Sequence, residues 1–162
     1  MRLTGISSWF LISTLLFLPV VTALSATANV DECNSKTNLL EQVSCYTAVA
    51  KANNDLAFCA QASHEGVRYQ CYVIFAEHHA SPDICLEIPS ATEGHSSLID
   101  SCLSDVAMKA HNPDICERIE TTGLRDSCYL KLAKKVNQLA LCEKILDVGL
   151  KSACTGEPVI VK

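Results

Sequence analysis

No two of the ten cysteines in this 162-residue sequence stand closer than 12 residues apart. That absence removes the C-x-x-C pattern of dithiol redox catalysis and the close ligand pairs of a structural zinc site. No basic run occurs, and 13 Lys+Arg stand against 18 Asp+Glu, a net charge of −5. Nucleic acid and anionic membrane surfaces are therefore poor partners. The sequence holds no N-x-S/T acceptor for N-linked sugar, which favours a bacterial periplasm or cell exterior over a eukaryotic secretory route. It also has no nucleophile elbow, phosphate loop or H-E-x-x-H motif, so neither an enzyme nor a cofactor is expected.

The only long apolar run is at the start. Arg2 precedes "WFLISTLLFLPVV" (9–21), and the small residues of "TALSATA" follow. A weak positive end, a short apolar segment and a small-residue cut site describe a secretory signal peptide. Cleavage after Ala23, Ala26 or Ala28 fits, giving a signal peptide over 1–28. The rival reading is an uncleaved anchor, but a bilayer span needs roughly 20 apolar residues and this run is shorter. Removing Arg2 leaves 12 Lys+Arg against 18 Asp+Glu, a charge of −6. No second apolar stretch is long enough to span a bilayer, so no membrane insertion is expected after cleavage. An even cysteine count in a small exported chain predicts disulfides and a periplasmic or secreted location.

The cysteines fall at 33, 45, 59, 71, 85, 102, 116, 128, 142 and 154, with gaps of 12, 14, 12, 14, 17, 14, 12, 14 and 12. Gaps of 12 and 14 sum to a period of 26, and the single 17 marks a five-residue insertion within "LEIPSATEGHSSLIDS". A fixed period of this size indicates stacked supersecondary units. Tyr46, Tyr72 and Tyr129 directly follow a cysteine, with Leu103 in the remaining unit. Val49, Phe75, Val106 and Leu132 come four after it, and Ala50, Ala76, Ala107 and Ala133 five after it. Positions i, i+1, i+4 and i+5 share one stripe of a helix. The repeated alanine suggests a close crossing of helices.

These segments are read as long helices, here termed A, the first capped by Asn38 with Glu41. Asp55, Ser81 and Asn112 suit the N-cap of a short second helix, B, followed twice by Pro82 or Pro113 at its first position. Asn137 takes that role with a one-residue offset. Each B helix carries a cysteine (59, 85, 116, 142) and, three later, Ala62, Ile88, Ile119 or Ile145. Gly66, Gly94, Gly123 and Gly149 follow and are expected to end B with positive φ. The fold expected is all-α: a short right-handed array of disulfide-stapled antiparallel helix pairs, solenoid-like, over 29–154. Residues 155–162 are read as a loose tail.

Neighbouring cysteines can pair in two registers. Pairing across the 12-residue gaps, and the one 17, gives 33–45, 59–71, 85–102, 116–128 and 142–154 and uses all ten. Pairing across the 14-residue gaps strands Cys33 and Cys154 at opposite ends. The turn at 147–149 lies midway between Cys142 and Cys154, so antiparallel helices joined there face those sulfurs together. The first register is the expected one, although spacing alone does not fix connectivity. A loop of this length contributes about 3 kcal/mol in the chain-entropy account, and helices of about 9–12 residues are marginal alone.

His78 and His79 in "AEHHA" are the one histidine pair, but neighbours on a helix point about 100° apart and rarely reach one ion. No metal site is assigned. Asp83 and Asp114, in the matching strings "SPDIC" and "NPDIC", are first-turn acids suited to the helix dipole. Arg68, Arg125 and Lys151 recur three before a cysteine and are read as bonding a neighbouring turn. In "CYVIFA" (71–76), Val73 and Ile74 fall where other units carry Thr47, Ala48, Ser104, Asp105 and Lys131. An apolar patch on a polar face marks a partner site. Burial beneath the following insertion is the alternative. Val73, Ile74 and His78 are the candidate partner-binding residues.

The units "RDSCYLKLAKKVNQLALCEKI" and "CYVIFAEHHASPDICLEI" resemble the cysteine-bracketed helical hairpins of uncharacterised exported prokaryotic proteins. More loosely they are similar to Sel1 and tetratricopeptide arrays, whose periods are longer. The resemblance implies a binding scaffold and carries over no catalytic residue. The expected function is a non-enzymatic protein- or peptide-binding module of the periplasm or extracellular space. A periplasmic immunity or inhibitor protein and a thiol-based metal-binding protein are the alternatives.

Overall fold

The computed structural model describes residues 29–89 and 95–156. The signal peptide expected over 1–28, Gly94 and the last six residues lie outside them. All regular structure among the described residues is helical: α1 (Val30–Ser35), α2 (Leu39–Asn53), α3 (Ala57–Ala60), α4 (Glu65–His79), α5 (Asp83–Leu86), α6 (His95–Ala110), α7 (Thr122–Val136) and α8 (Val148–Thr155). Two 3₁₀ helices, Pro113–Arg118 and Leu139–Lys144, take the place of the short helix in the fourth and fifth units. Short and long helices alternate as five hairpins. The long helices adjoin in series, α2 on α4, α4 on α6, α6 on α7 and α7 on α8, which makes a solenoid-like array.

Five disulfides bridge each short helix to the long helix after it: Cys33–Cys45, Cys59–Cys71, Cys85–Cys102, Cys116–Cys128 and Cys142–Cys154. Their Cα atoms lie 5.4–5.8 Å apart, within the usual range for a bridge. All ten sulfurs are paired. A chain cross-linked to this extent belongs to an oxidising environment, extracellular or periplasmic. Among the described residues no helix is long and apolar enough to cross a membrane.

The stripe of i, i+1, i+4 and i+5 is the core. Tyr46, Leu103 and Tyr129 are buried with Val49, Phe75, Val106 and Leu132, and the four repeated alanines are wholly buried. From the short helices Ala62, Ile88, Ile119 and Ile145 join them. The complete long helices run 15 or 16 residues, more than the spacing suggests, because each starts six or seven residues before its cysteine.

The repeated alanine has a second use. Each of the four complete long helices ends on a left-handed residue nine after its cysteine: Asn54, Ala80, His111 and Asn137, with φ of 51, 49, 54 and 53°. The next N–H then reaches back to the carbonyl of Ala50, Ala76, Ala107 or Ala133, at 3.0, 3.0, 3.1 and 2.9 Å. That is the six-to-one bond of a Schellman end. Asn137 is thus the terminator of α7 and not the cap of the helix that follows, which corrects its expected role. Asn112 does cap, accepting from the Asp114 N–H at 3.0 Å. Asp55 accepts from the Ala57 N–H at 2.9 Å but stands one residue before the cap, Leu56, and Ser81 likewise precedes Pro82, which is the cap of α5 and not its first residue.

The glycines also differ from expectation. Gly66, Gly123 and Gly149 are second residues of long helices and carry no positive φ; Gly156, after α8, does. The reason at Gly66 and Gly149 is room for a folded-back cap. His64 accepts from the Gly66 N–H at 3.1 Å, and a Cβ on Gly66 would stand 3.2 Å from that ring. Asp147 accepts from Leu150, and a Cβ on Gly149 would stand 3.3 Å from its carboxylate.

Candidate partner-binding surface

Val73, Ile74 and His78 all lie on α4, the second long helix, which is flanked by α2 and α6. The structure separates them. Val73 is 5% exposed, Ile74 is half-buried and His78 is exposed. The position two after the cysteine is internal in the other units too, with Thr47 and Ser104 buried and Leu130 half-buried. A helix with neighbours on both sides is covered over more than one stripe, so this row reads as polar in sequence yet packs inward. Val73 therefore belongs to the core cluster.

The row three after the cysteine faces outward. Ala48, Asp105 and Lys131 are exposed and Ile74 is half-buried. One turn on, Ala52, His78, Lys109 and Lys135 are all exposed. Positions i and i+4 share a helix face, so these eight residues form a double row across α2, α4, α6 and α7. Its character changes along the array, from alanine through Ile74 and His78 to Asp105 and three lysines. Burial pushes the Asp105 carboxyl up, and nearby Lys131 opposes that shift. Burial also raises Tyr69, with Asp105 adding to it. The ring of His79 rests on Phe75 with centroids 4.4 Å apart, and His78 meets His79 edge-on. The two histidines do not converge, and among the described residues no group of three His, Cys, Asp or Glu could hold a metal.

The charges three before a cysteine stitch the hairpins. Arg68 donates to the carbonyls of Ala62 and Ser63 at 2.7 and 3.0 Å, and Arg125 to that of Ile119 at 3.4 Å. Gln42 does the same in the first unit, to Lys36 at 2.7 Å. Lys151 instead pairs with Glu143 at 2.7 Å. Asp83 accepts from Arg118 at 2.8 Å, joining successive short helices, and Glu117 pairs with Lys144 in the same manner.

Two buried residues were not singled out from sequence. Asp100 and Asp126 are each 1% exposed. Asp100 accepts from the N–H groups of Glu120 and Thr121, both at 2.9 Å, one on each oxygen. Asp126 accepts from Leu146 and Asp147 at 3.1 and 2.8 Å, both on Oδ2. Each carboxylate reaches the turn that opens the next long helix. The signal was the recurring Asp-Ser-Cys triplet, at 100–102 and 126–128.

A hollow of about 370 Å³ between the last two units is lined by Glu117, Arg125, Tyr129, Glu143, Lys144 and Leu146. Its lysine is ion-paired and its arginine turned to a carbonyl. It is an open seam between hairpins, lined mostly by charged residues. The fold and surface define a disulfide-stapled helical repeat array. Comparison with protein-family models, with curated proteins and with solved structures finds no match for the chain.

Proposed function

We propose that the protein is a non-enzymatic repeat module that binds a protein or peptide in the periplasm or outside the cell. The observation that carries this reading is the double row across four adjoining long helices. Repeat arrays present extended surfaces of this kind, and each unit contributes one pair of side chains to a common track. The track offers a small, weakly apolar end at Ala48, Ala52 and Ile74 and a cationic end at Lys109, Lys131 and Lys135. It suits an extended segment with an apolar residue followed by carboxylates. The bridges hold the track rigid, so little ordering entropy is lost when a partner docks.

The test is affinity capture from the native envelope with the wild-type protein and with Ile74→Glu plus His78→Glu. Both positions are outside the buried core, so the variant keeps its melting temperature while capture falls about tenfold or more. Equal capture by wild type and variant removes the track from the binding surface. Val73→Glu is the contrasting substitution: it unfolds the second hairpin, because it places a charge in the core.

A further inference from the structure

The first hairpin departs from the repeat in two ways. Nine of the ten cysteines are buried, Cys154 being the most open of them at 5%. Cys45 is the exception and is half-buried. Its place in the array explains this. Cys71, Cys102, Cys128 and Cys154 stand on long helices that pack against an earlier long helix, whereas α2 has none before it among the described residues. The second departure is three residues after the first cysteine of the bridge. The later hairpins carry Ala62, Ile88, Ile119 and Ile145 there, all buried, and the first carries Lys36. Cys33 is the one buried residue of the six in α1. The apolar anchor that docks the other short helices is missing, and the bridge takes its place.

We propose that Cys33–Cys45 is a redox latch: a dithiol reductant opens it selectively and releases α1, while the other four hairpins stay closed. A thiolate of the reductant attacks Cys45, the partner with exposed surface. The sulfur–sulfur bond breaks, and its electron pair goes to the Cys33 sulfur, which takes a proton. The reductant's second thiolate then attacks its own sulfur in the mixed disulfide and frees Cys45, which is protonated in turn. Two electrons and two protons pass to the bridge, and the dithiol leaves as a disulfide. Access decides which bridge reacts, and the inner sulfurs are closed to attack while their hairpins are folded. Once the latch opens, α1 is held by two side-chain bonds. The Tyr46 hydroxyl donates to Asn34 at 2.6 Å, and Gln42 donates to the Lys36 carbonyl at 2.7 Å. A six-residue helix is far below the length that holds by itself, so α1 leaves the face of α2 that it covered.

Timed alkylation and peptide mass mapping of the purified, disulfide-intact protein in a dithiothreitol series test this. The Cys33–Cys45 bridge is expected to open about tenfold faster or more than any other, at a rate proportional to the reductant. Glutathione, which has no second thiol, is expected to leave its adduct on Cys45. Cys33→Ser plus Cys45→Ser is expected to raise amide exchange in α1 about tenfold or more, with α4, α6 and α7 unchanged. First opening of another bridge, or of all five together, overturns the proposal, because access at Cys45 would not then be what decides. An adduct on Cys33 overturns the direction of attack. An α1 as protected in the double variant as in the wild type shows that the bridge does not hold it, and overturns the release.

Discussion

At the scale of single residues, Asp100 and Asp126 do similar work through different atoms. Asp100 spends one oxygen on each of two N–H groups, whereas Asp126 uses Oδ2 for both and leaves its buried Oδ1 without a partner. Asparagine has one acceptor oxygen and a donating NH₂. Asp100→Asn therefore sets a donor against a buried N–H and is expected to cost about 2–3 kcal/mol. Asp126→Asn keeps its acceptor and is expected to cost about 1 kcal/mol or less. Urea unfolding of the two variants, with exposed Asp114→Asn as the neutral control, measures the difference. Ala80 supplies a second contrast. It holds a left-handed φ of 49° with a Cβ, where Asn54 and Asn137 tolerate that region better. Ala80→Gly is expected to stabilise by about 0.5–1 kcal/mol, the relieved strain exceeding the added freedom of the unfolded chain, and thermal unfolding reads it.

At the scale of elements, the hairpin was legible in the sequence because its determinants are local and repeated. Cysteine spacing, the aromatic after it and the alanine five after it each recur, and all fall in the core. What was not legible arises between hairpins. Thr47 and Ser104 look like surface residues until a neighbouring long helix covers them. Asn137 and the glycines suit both ends of a helix by residue type, and only the tertiary turn decides which. The bridges carry the element-scale prediction. Replacing Cys142 and Cys154 by alanine is expected to raise amide exchange in α8 and its 3₁₀ partner while the inner hairpins stay protected, since an end unit has one neighbour. Replacing Cys59 and Cys71 is expected to cost about 3 kcal/mol and to raise exchange on both sides, in α2 and α6.

At the scale of the whole molecule, the tyrosines report cohesion. Burial raises all four, Tyr46, Tyr69, Tyr72 and Tyr129, above the ordinary value of 10.0. An acid whose folded pKa is raised favours the folded state while neutral. That contribution is complete below the unfolded value and is lost as pH rises through the folded one. Stability is thus expected to be insensitive to tyrosine ionisation below about pH 10 and to fall above it. Tyrosinate absorbance should rise above pH 10, later than for free tyrosine, and titration at the ordinary value by all four would contradict the shifts.

Every sulfur bridge closes within a hairpin, and none ties one hairpin to the next. Under tension applied to the two termini, each bridged loop is withheld from extension. Only the four spans of 14 residues between bridges can pay out, each to a full length of roughly 50 Å. The chain is therefore built to lengthen in a few short, countable increments and to recoil from them, with its covalent clasps still shut.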